Sequence, residues 1–149
     1  MFRLNFSFEN TEALSGPAAI VIPRHTSIAD TIIPMACYAL PRNLHMRYVL
    51  KRELLIDPCL DIVGNRLPNL FINRQSADGE QARAEVAELM KDIGEDEGAL
   101  IYPEGTRYSR SKLRTISRRF AGNEEMQAQI KRWPLLLPPR LGGTMAMLQ

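Results

Sequence analysis

Short apolar runs separated by polar segments recur along the chain, and each run predicts a strand. Residues 18–22 read Ala-Ala-Ile-Val-Ile and residues 99–102 read Ala-Leu-Ile-Tyr, which is the continuous pattern of strands buried on both faces. Residues 47–50 and residues 70–72 predict two more short strands. The three leucines at residues 135–137 predict another strand before a proline.

The clearest helical pattern begins near Asp78 as the N-cap and ends at Gly94. Its apolar residues recur at helical spacing on one face. They are Ala82, Val86, Leu89 and Ile93. Residues 54–60 predict a short helix or an irregular turn that is interrupted by Pro58.

A further helix is predicted to end at Leu40, and its start is open between two positions. A start at Ser27 forms a capping box with Asp30 but leaves Pro34 in the helix interior. A start at Thr31 places Pro34 in the first turn, where proline is tolerated.

Strands that alternate with helices predict an α/β fold, with a central, mostly parallel or mixed sheet flanked by helices. The 149 residues fit a single domain. Both ends of the chain are apolar, and at the N-terminus apolar and polar residues alternate as in a half-buried strand. The alternating residues are Phe2, Leu4, Phe6 and Phe8. We therefore expect residues 1–149 to be part of a longer protein.

Composition indicates an ordinary globular domain, since 45% of the residues are hydrophobic and 24% are charged. The net charge is only +2, so a basic surface requires local clustering. Cys37 and Cys59 are too few for a disulfide framework, and with His45 they lack metal-ligand spacing, so we expect no metal. The sequence contains no phosphate-binding loop, dinucleotide fingerprint or nucleophile elbow. It also contains no run of 18 or more apolar residues, the length that could span a membrane.

The segment after the first buried run contains a candidate base and a carboxylate. His25 and Asp30 have the spacing H-x-x-x-x-D, and a turn between a strand and a helix can bring such residues together. Histidine titrates near neutral pH, and a carboxylate on its second nitrogen fixes the tautomer and stabilises the charged ring. In the alternative interpretation, Asp30 only caps a helix and His25 is an incidental loop residue.

Glu104-Gly105-Thr106-Arg107 follows the apolar run at residues 99–102. Glycine permits a turn whose amides can face an anion, and arginine recognises phosphate with two parallel hydrogen bonds. Arg74, directly after the run at residues 70–72, can reach the same anion. An ordinary turn with solvated arginines is the alternative for both segments.

A basic segment and an apolar segment complete the candidate features. Residues 107–119 carry six basic side chains and no acidic one, with apolar residues at helical spacing among them. One interpretation is a surface that contacts anionic lipid, an acidic carrier protein or coenzyme phosphates. The alternative is an ordinary solvated basic face. Leu137-Pro138-Pro139-Arg140 can border an acyl pocket or simply terminate a strand.

These four segments, in this order, resemble the motifs of the glycerolipid acyltransferases, the family that includes lysophosphatidic acid acyltransferase. That family has N-H-x-x-x-x-D, then an arginine after an apolar strand, then an F-P-E-G-T-R-like turn, then an apolar run ending in proline. Here Arg24 replaces the usual asparagine before His25, and Pro138-Pro139-Arg140 replaces the common single proline.

The resemblance implies a role for each matching residue. His25 would be the general base with Asp30 as its partner, and Pro139 would border the acyl pocket. The acceptor's phosphate would be held by Arg74, Gly105, Thr106 and Arg107, with Glu104 supporting the site. The reaction would move a fatty acyl group from acyl-CoA or acyl carrier protein to a lysophospholipid hydroxyl, without a cofactor or a covalent acyl-enzyme.

The expected partners are the lysophospholipid, the acyl donor and an anionic membrane surface on the cytoplasmic side, and no nucleic acid. Two other functions stay open. One is a catalytically silent homologue that binds anionic lipid, although retention of both His25 and Asp30 argues against it. The other is a lipid acyl hydrolase in which water replaces the acceptor hydroxyl.

Overall fold

A computed structural model describes residues 7, 9–17, 19–73 and 79–149. In this part of the chain, four strands form one parallel sheet in the order β1-β4-β2-β3. The strands are β1 (Ile20–Val21), β2 (His45–Lys51), β3 (Leu70–Ile72) and β4 (Glu97–Leu100). The predicted α/β class with a parallel central sheet is confirmed.

Helices connect and flank these strands. The α-helices are α1 (Pro58–Gly64), α2 (Gly79–Met90), α3 (Arg110–Arg119), α4 (Glu124–Arg132) and α5 (Leu141–Ala146). Short 3₁₀ helices span Thr11–Ser15, Ala29–Thr31, Leu40–Arg42 and Arg52–Ile56, and a π-helical turn spans Met35–Ala39.

Both faces of the sheet are covered, as expected of parallel strands. Ala99 packs on one face with Val49 and Val86, whereas Leu100 packs on the other face with Tyr38. Because side chains alternate along a strand, two neighbouring residues of β4 contribute to two separate core clusters.

The segment that was predicted to be a helix ending at Leu40 is irregular. It does not form one regular α-helix from either predicted start, Ser27 or Thr31. Pro34 has no N–H to donate, and the chain passes from Ala29–Thr31 into the π-helical turn Met35–Ala39. Asn43, in the left-handed conformation with φ of 53°, ends the segment.

The structure corrects two further element predictions. Pro58 begins α1 instead of interrupting it, because Asp57 accepts the Cys59 amide at 2.9 Å and proline suits the first helical position.

The leucines at residues 135–137 lie outside the sheet, in a turn where the Leu136 amide donates to the Trp133 carbonyl. Prolines on both sides, at 134 and 138, lack the N–H that a strand ladder uses.

The amphipathic helix forms as predicted, but α2 ends at Met90, before the predicted end at Gly94. Asp92 has a φ of 56°, a left-handed conformation that does not continue a helix. Val86 is buried, and Leu89 and Ile93 pack against the same core cluster.

Three predictions lie outside the described residues. They are the N-terminal strand with Phe2, Leu4, Phe6 and Phe8, the N-cap Asp78, and the position of Arg74. Among the residues that are described, no helix is long and apolar enough to cross a membrane.

Candidate active site

His25 lies just beyond β1, at the edge of the sheet where the carboxyl ends of the parallel strands meet. β1 pairs with β4, so the segment after β1 and the segment after β4 leave the sheet side by side. The His25 amide donates to Glu104 Oε1 at 2.8 Å, and the His25 carbonyl accepts from the Tyr108 amide at 2.7 Å. The two motifs that the sequence separates by about eighty residues therefore meet through two hydrogen bonds.

Glu104 is the buried charged residue of this region, with only 7% of its surface exposed. Its second carboxylate oxygen accepts the Leu137 amide at 2.9 Å. One side chain thus joins the turn after β1, the turn after β4 and the apolar segment near the C-terminus. A carboxylate that accepts two amides is well satisfied in a buried position.

The His25 imidazole stacks on Tyr102, with ring centroids 4.4 Å apart and ring planes 34° apart. Its Nδ1 is buried and has no hydrogen-bond partner among the described residues. Burial lowers the pKa of His25 below its ordinary value of 6.5, and the positive charge of Arg107 lowers it further, against the opposing charges of Asp30 and Glu104. The ring is therefore neutral at neutral pH and able to accept a proton.

Asp30 does not form the expected hydrogen bond to His25. Its Oδ2 accepts the Thr26 amide at 2.5 Å and the Ser27 amide at 2.6 Å. Burial by itself would raise the pKa of Asp30, but these hydrogen bonds outweigh it and hold the pKa below its usual value. The carboxylate stays charged and acts on the imidazole through its charge rather than through a direct bond.

The turn after β4 is fixed by its own hydrogen bonds. Gly105 has a φ of 72°, which favours glycine, and its amide donates to the Tyr102 carbonyl at 2.9 Å. Lys112 donates to Thr106 Oγ1 at 2.7 Å and to the Arg107 carbonyl at 3.0 Å. Arg107 itself is exposed, close enough to His25 to affect its pKa.

The Acyltransferase family model matches residues 5–132. The chain belongs to the acyltransferase family. A search of the curated proteins and a search of the solved structures returned no match. The matched span contains His25, Asp30 and the Glu104–Arg107 turn, and membership gives the chain a general acyltransferase activity.

The segment beyond the family match forms one wall of an apolar groove in this acyltransferase. The groove has a volume of about 400 Å³, and Glu104 forms part of its wall. Its apolar side chains include Ile22, Trp133, Leu136, Leu137, Pro138 and Pro139. Pro139 therefore lies in an apolar wall beside the residues that hold His25.

Sequence reasoning did not predict three contacts of the acyltransferase site. Tyr102 stacks on the base, Leu137 is bound to Glu104, and Lys112 braces the Thr106–Arg107 turn. Lys112 is only six residues from Thr106, so the sequence could have indicated that contact. The contact of Leu137 with Glu104 depends on the tertiary fold. Within the described part of the chain, no cluster of three or more potential ligands could hold a metal ion.

Proposed function

We propose that this acyltransferase moves a fatty acyl group from acyl-CoA or acyl carrier protein to the hydroxyl of a lysophospholipid such as lysophosphatidic acid. The observation that carries the proposal is the surroundings of His25. A neutral imidazole lies at a strand end, it follows Arg24 of the apolar groove in the chain, and the charge of Arg107 in the basic turn reaches it. The imidazole suits the reacting hydroxyl, the groove suits the acyl chain, and the basic turn suits the phosphate.

In this proposal His25 is the general base. It takes the proton of the acceptor hydroxyl as the oxygen attacks the thioester carbonyl, forming a C–O bond and a tetrahedral intermediate. The intermediate collapses by breaking the C–S bond, and the leaving thiolate takes the proton back from the imidazolium. Acyl transfer is then direct, and the histidine is regenerated.

Asp30 assists at a distance. It accepts two amides of the turn that follows His25, so it fixes the path of the chain beside the base. Its negative charge also raises the pKa of His25 against the effect of burial. Both effects favour proton acceptance without a hydrogen bond to the ring.

The acyl chain occupies the apolar groove in this proposal. Leu137 and Pro139 line that groove, and Glu104 links the wall to the His25 amide. The groove is open at the surface and ten of its fourteen lining residues are apolar, which suits an acyl chain.

We further propose that the acceptor's phosphate lies near Arg107, with Gly105 and Thr106 shaping the turn, and that Arg74 adds to the same site. Arg107 is exposed and its charge reaches His25. A guanidinium group matches the geometry of phosphate, and the distance between hydroxyl and phosphate in a lysophospholipid spans only a few bonds.

The protein meets its substrate at an anionic membrane surface, on the cytoplasmic side. Ile28 and Ile32, three and seven residues after His25, are exposed, and α3 carries basic residues without an acidic one. Apolar side chains beside basic ones are the composition of surfaces that bind anionic bilayers.

An acyl-transfer assay tests the proposal. The protein is given acyl-CoA or acylated carrier protein with lysophosphatidic acid, with other lysolipids, or with water alone, and products are identified by mass spectrometry. We expect a diacyl phospholipid from lysophosphatidic acid. Release of free fatty acid with no diacyl product would make the chain a hydrolase and contradict the proposal.

A further inference from the structure

A second cavity, of about 280 Å³, lies at the carboxyl ends of β3 and β4, and we name it the cationic cleft. Asn73 follows β3, Tyr102 and Pro103 follow β4, and all three line the cleft. Among the described residues it shares only Pro103 with the apolar groove. This edge of a parallel sheet is where α/β proteins place ligands.

Two arginines from different elements line the cationic cleft. Arg83 lies on α2, and Arg140 directly precedes α5. A Cβ at Gly142 would lie 3.5 Å from Arg83 Nε, so this glycine leaves α5 in close contact with the Arg83 side chain. The Arg140 amide donates to the Pro103 carbonyl at 2.8 Å, which fixes Arg140 beside the end of β4.

The positive charge of the cleft is not neutralised within the part of the chain that the structure describes. Neither Arg83 nor Arg140 forms an ion pair there, and none of the described lining residues is acidic. Both arginines are exposed, and they line the same concave surface. Two arginines that line one cavity suit a phosphate, which accepts several hydrogen bonds at once.

Tyr102 connects the cationic cleft to the candidate base. Its ring packs with the core cluster of Leu100 and stacks on the His25 imidazole, with 4.4 Å between the ring centroids. A phosphate in the cleft would therefore lie beside the strand end that carries Tyr102, which contacts the base. A lysophospholipid carries its free hydroxyl within a few bonds of its phosphate, so one acceptor could reach both places.

We propose that Arg83 and Arg140 bind the phosphate of the acceptor. This inference rests on the proposed function, and it adds to the acceptor site two arginines to which the family resemblance gives no role. The cleft is also lined by Gly105, which belongs to the turn that carries Arg107. The two arginines would make the enzyme selective for acceptors that carry a phosphate over neutral monoacylglycerols.

Steady-state kinetics test the proposal with Arg83→Gln, Arg140→Gln and the double variant. Arg66→Gln is the matched control, because Arg66 is exposed and lines neither the groove nor the cleft. Loss of a charge-assisted hydrogen bond should raise the acceptor KM about tenfold or more in each single variant. The donor KM should not change, and lysine at either position should restore part of the affinity.

A rise in the donor KM with an unchanged acceptor KM would assign the cleft to the phosphates of the coenzyme and overturn the proposal. An unchanged acceptor KM in a double variant with the parent's unfolding temperature would overturn it as well. Selectivity gives a second readout, since the double variant should lose the preference for lysophosphatidic acid over the matching monoacylglycerol.

Calorimetric titration with glycerol 3-phosphate separates this inference from the proposed function. The wild-type protein and Arg66→Gln should bind it and not glycerol, and the double variant should lose that binding. Such a loss supports the cleft even if the wild-type protein transfers no acyl group to any acceptor. Equal binding by the wild-type protein and the double variant, or no binding to either, would contradict it.

Discussion

At the scale of single residues, the main feature is that His25 is positioned through its backbone. Its amide and carbonyl are both used, by Glu104 and by Tyr108, and its ring rests on Tyr102. No hydrogen bond from Asp30 holds the imidazole, since that carboxylate accepts two amides instead. The imidazole is thus oriented by packing, and Nδ1 has no partner within the described residues that fixes the tautomer.

This arrangement makes a prediction for Asp30→Asn. The charge of Asp30 raises the pKa of His25, so its removal should lower that pKa further. Asparagine can still accept amides, so the turn should remain folded. The neutral, proton-accepting form would then persist to lower pH, and the acid limb of the rate profile should move to lower pH.

NMR titration of the His25 ring protons, in the parent and in Asp30→Asn, measures this directly. A His25 pKa that rises, or stays unchanged, in Asp30→Asn would show that the carboxylate does not act on the ring through its charge.

Glu104→Gln gives a prediction for stability. A glutamine side chain has one acceptor oxygen for the two amides of His25 and Leu137 that Glu104 now accepts. Leaving a buried amide without a partner costs about 1–3 kcal/mol. Urea unfolding should show this loss, while Glu53→Gln, at an exposed position, should unfold like the parent. Equal stability of Glu104→Gln and the parent would mean that Glu104 does not hold these segments together.

At the scale of elements, close packing between the strands brings the two motifs together. Gly98 of β4 lies against Met46 of β2 and against the backbone of Ala19, just before β1. A Cβ at Gly98 would lie 2.9 Å from Met46 Sδ and 3.1 Å from the Ala19 carbonyl oxygen. The methionine could move, but the carbonyl belongs to the strand edge that leads to His25.

We therefore expect Gly98→Ala to destabilise the fold by about 1–3 kcal/mol through overpacking. Gly122→Ala is the matched control, because a Cβ there would meet nothing within 4 Å. Chemical denaturation of both variants compares the two sites. A Gly98→Ala variant as stable as Gly122→Ala would contradict the close approach of β4 to Ala19.

The strands and the long helix could be predicted because their signals are local. Continuous apolar runs mark β1 and β4, and periodic apolar residues mark α2. The segment around Pro34 could not be assigned in the same way, since a proline within a helical pattern permits several irregular solutions. Pro58 was misread because its place at a helix start depends on Asp57 acting as the cap.

The candidate site was predicted as a set of segments rather than as a set of contacts. Sequence order and residue type single out His25 and the Glu104–Arg107 turn. The hydrogen bonds of Glu104 to His25 and Leu137 depend on how distant segments pack, which no local pattern reports. For the same reason the leucines at residues 135–137 were read as a strand although they form a groove wall.

At the scale of the whole molecule, apolar and basic surfaces lie around one edge of the sheet. The apolar groove lies on one side of Pro103 and the cationic cleft on the other. α3 follows the Thr106–Arg107 turn and adds basic residues to the surface, and exposed Ile28 and Ile32 lie just after His25. This distribution suits a substrate with an apolar chain and an anionic headgroup that is drawn from a lipid surface.

Vesicle sedimentation tests the membrane part of this account. Each basic residue near an anionic surface adds about 1 kcal/mol before screening, so the protein should bind anionic vesicles and be released as salt rises. Exposed Arg114 and Arg118 lie one turn apart on α3, and replacing both with glutamine should weaken binding, whereas Arg66→Gln should not. Equal recovery on neutral and anionic vesicles at every salt concentration would contradict the prediction.

The central claim is that His25 is the base of an acyl transfer, and the two histidines of the chain allow a matched test. His45 lies at the opposite end of the sheet, at the start of β2, and is exposed. The measurement is kcat for acyl transfer to lysophosphatidic acid in His25→Ala and His45→Ala, with unfolding temperatures recorded for both. We predict that His25→Ala loses about 10²- to 10⁴-fold in rate, while His45→Ala keeps the parent's rate. A folded His25→Ala variant that turns over as fast as the parent would contradict the account.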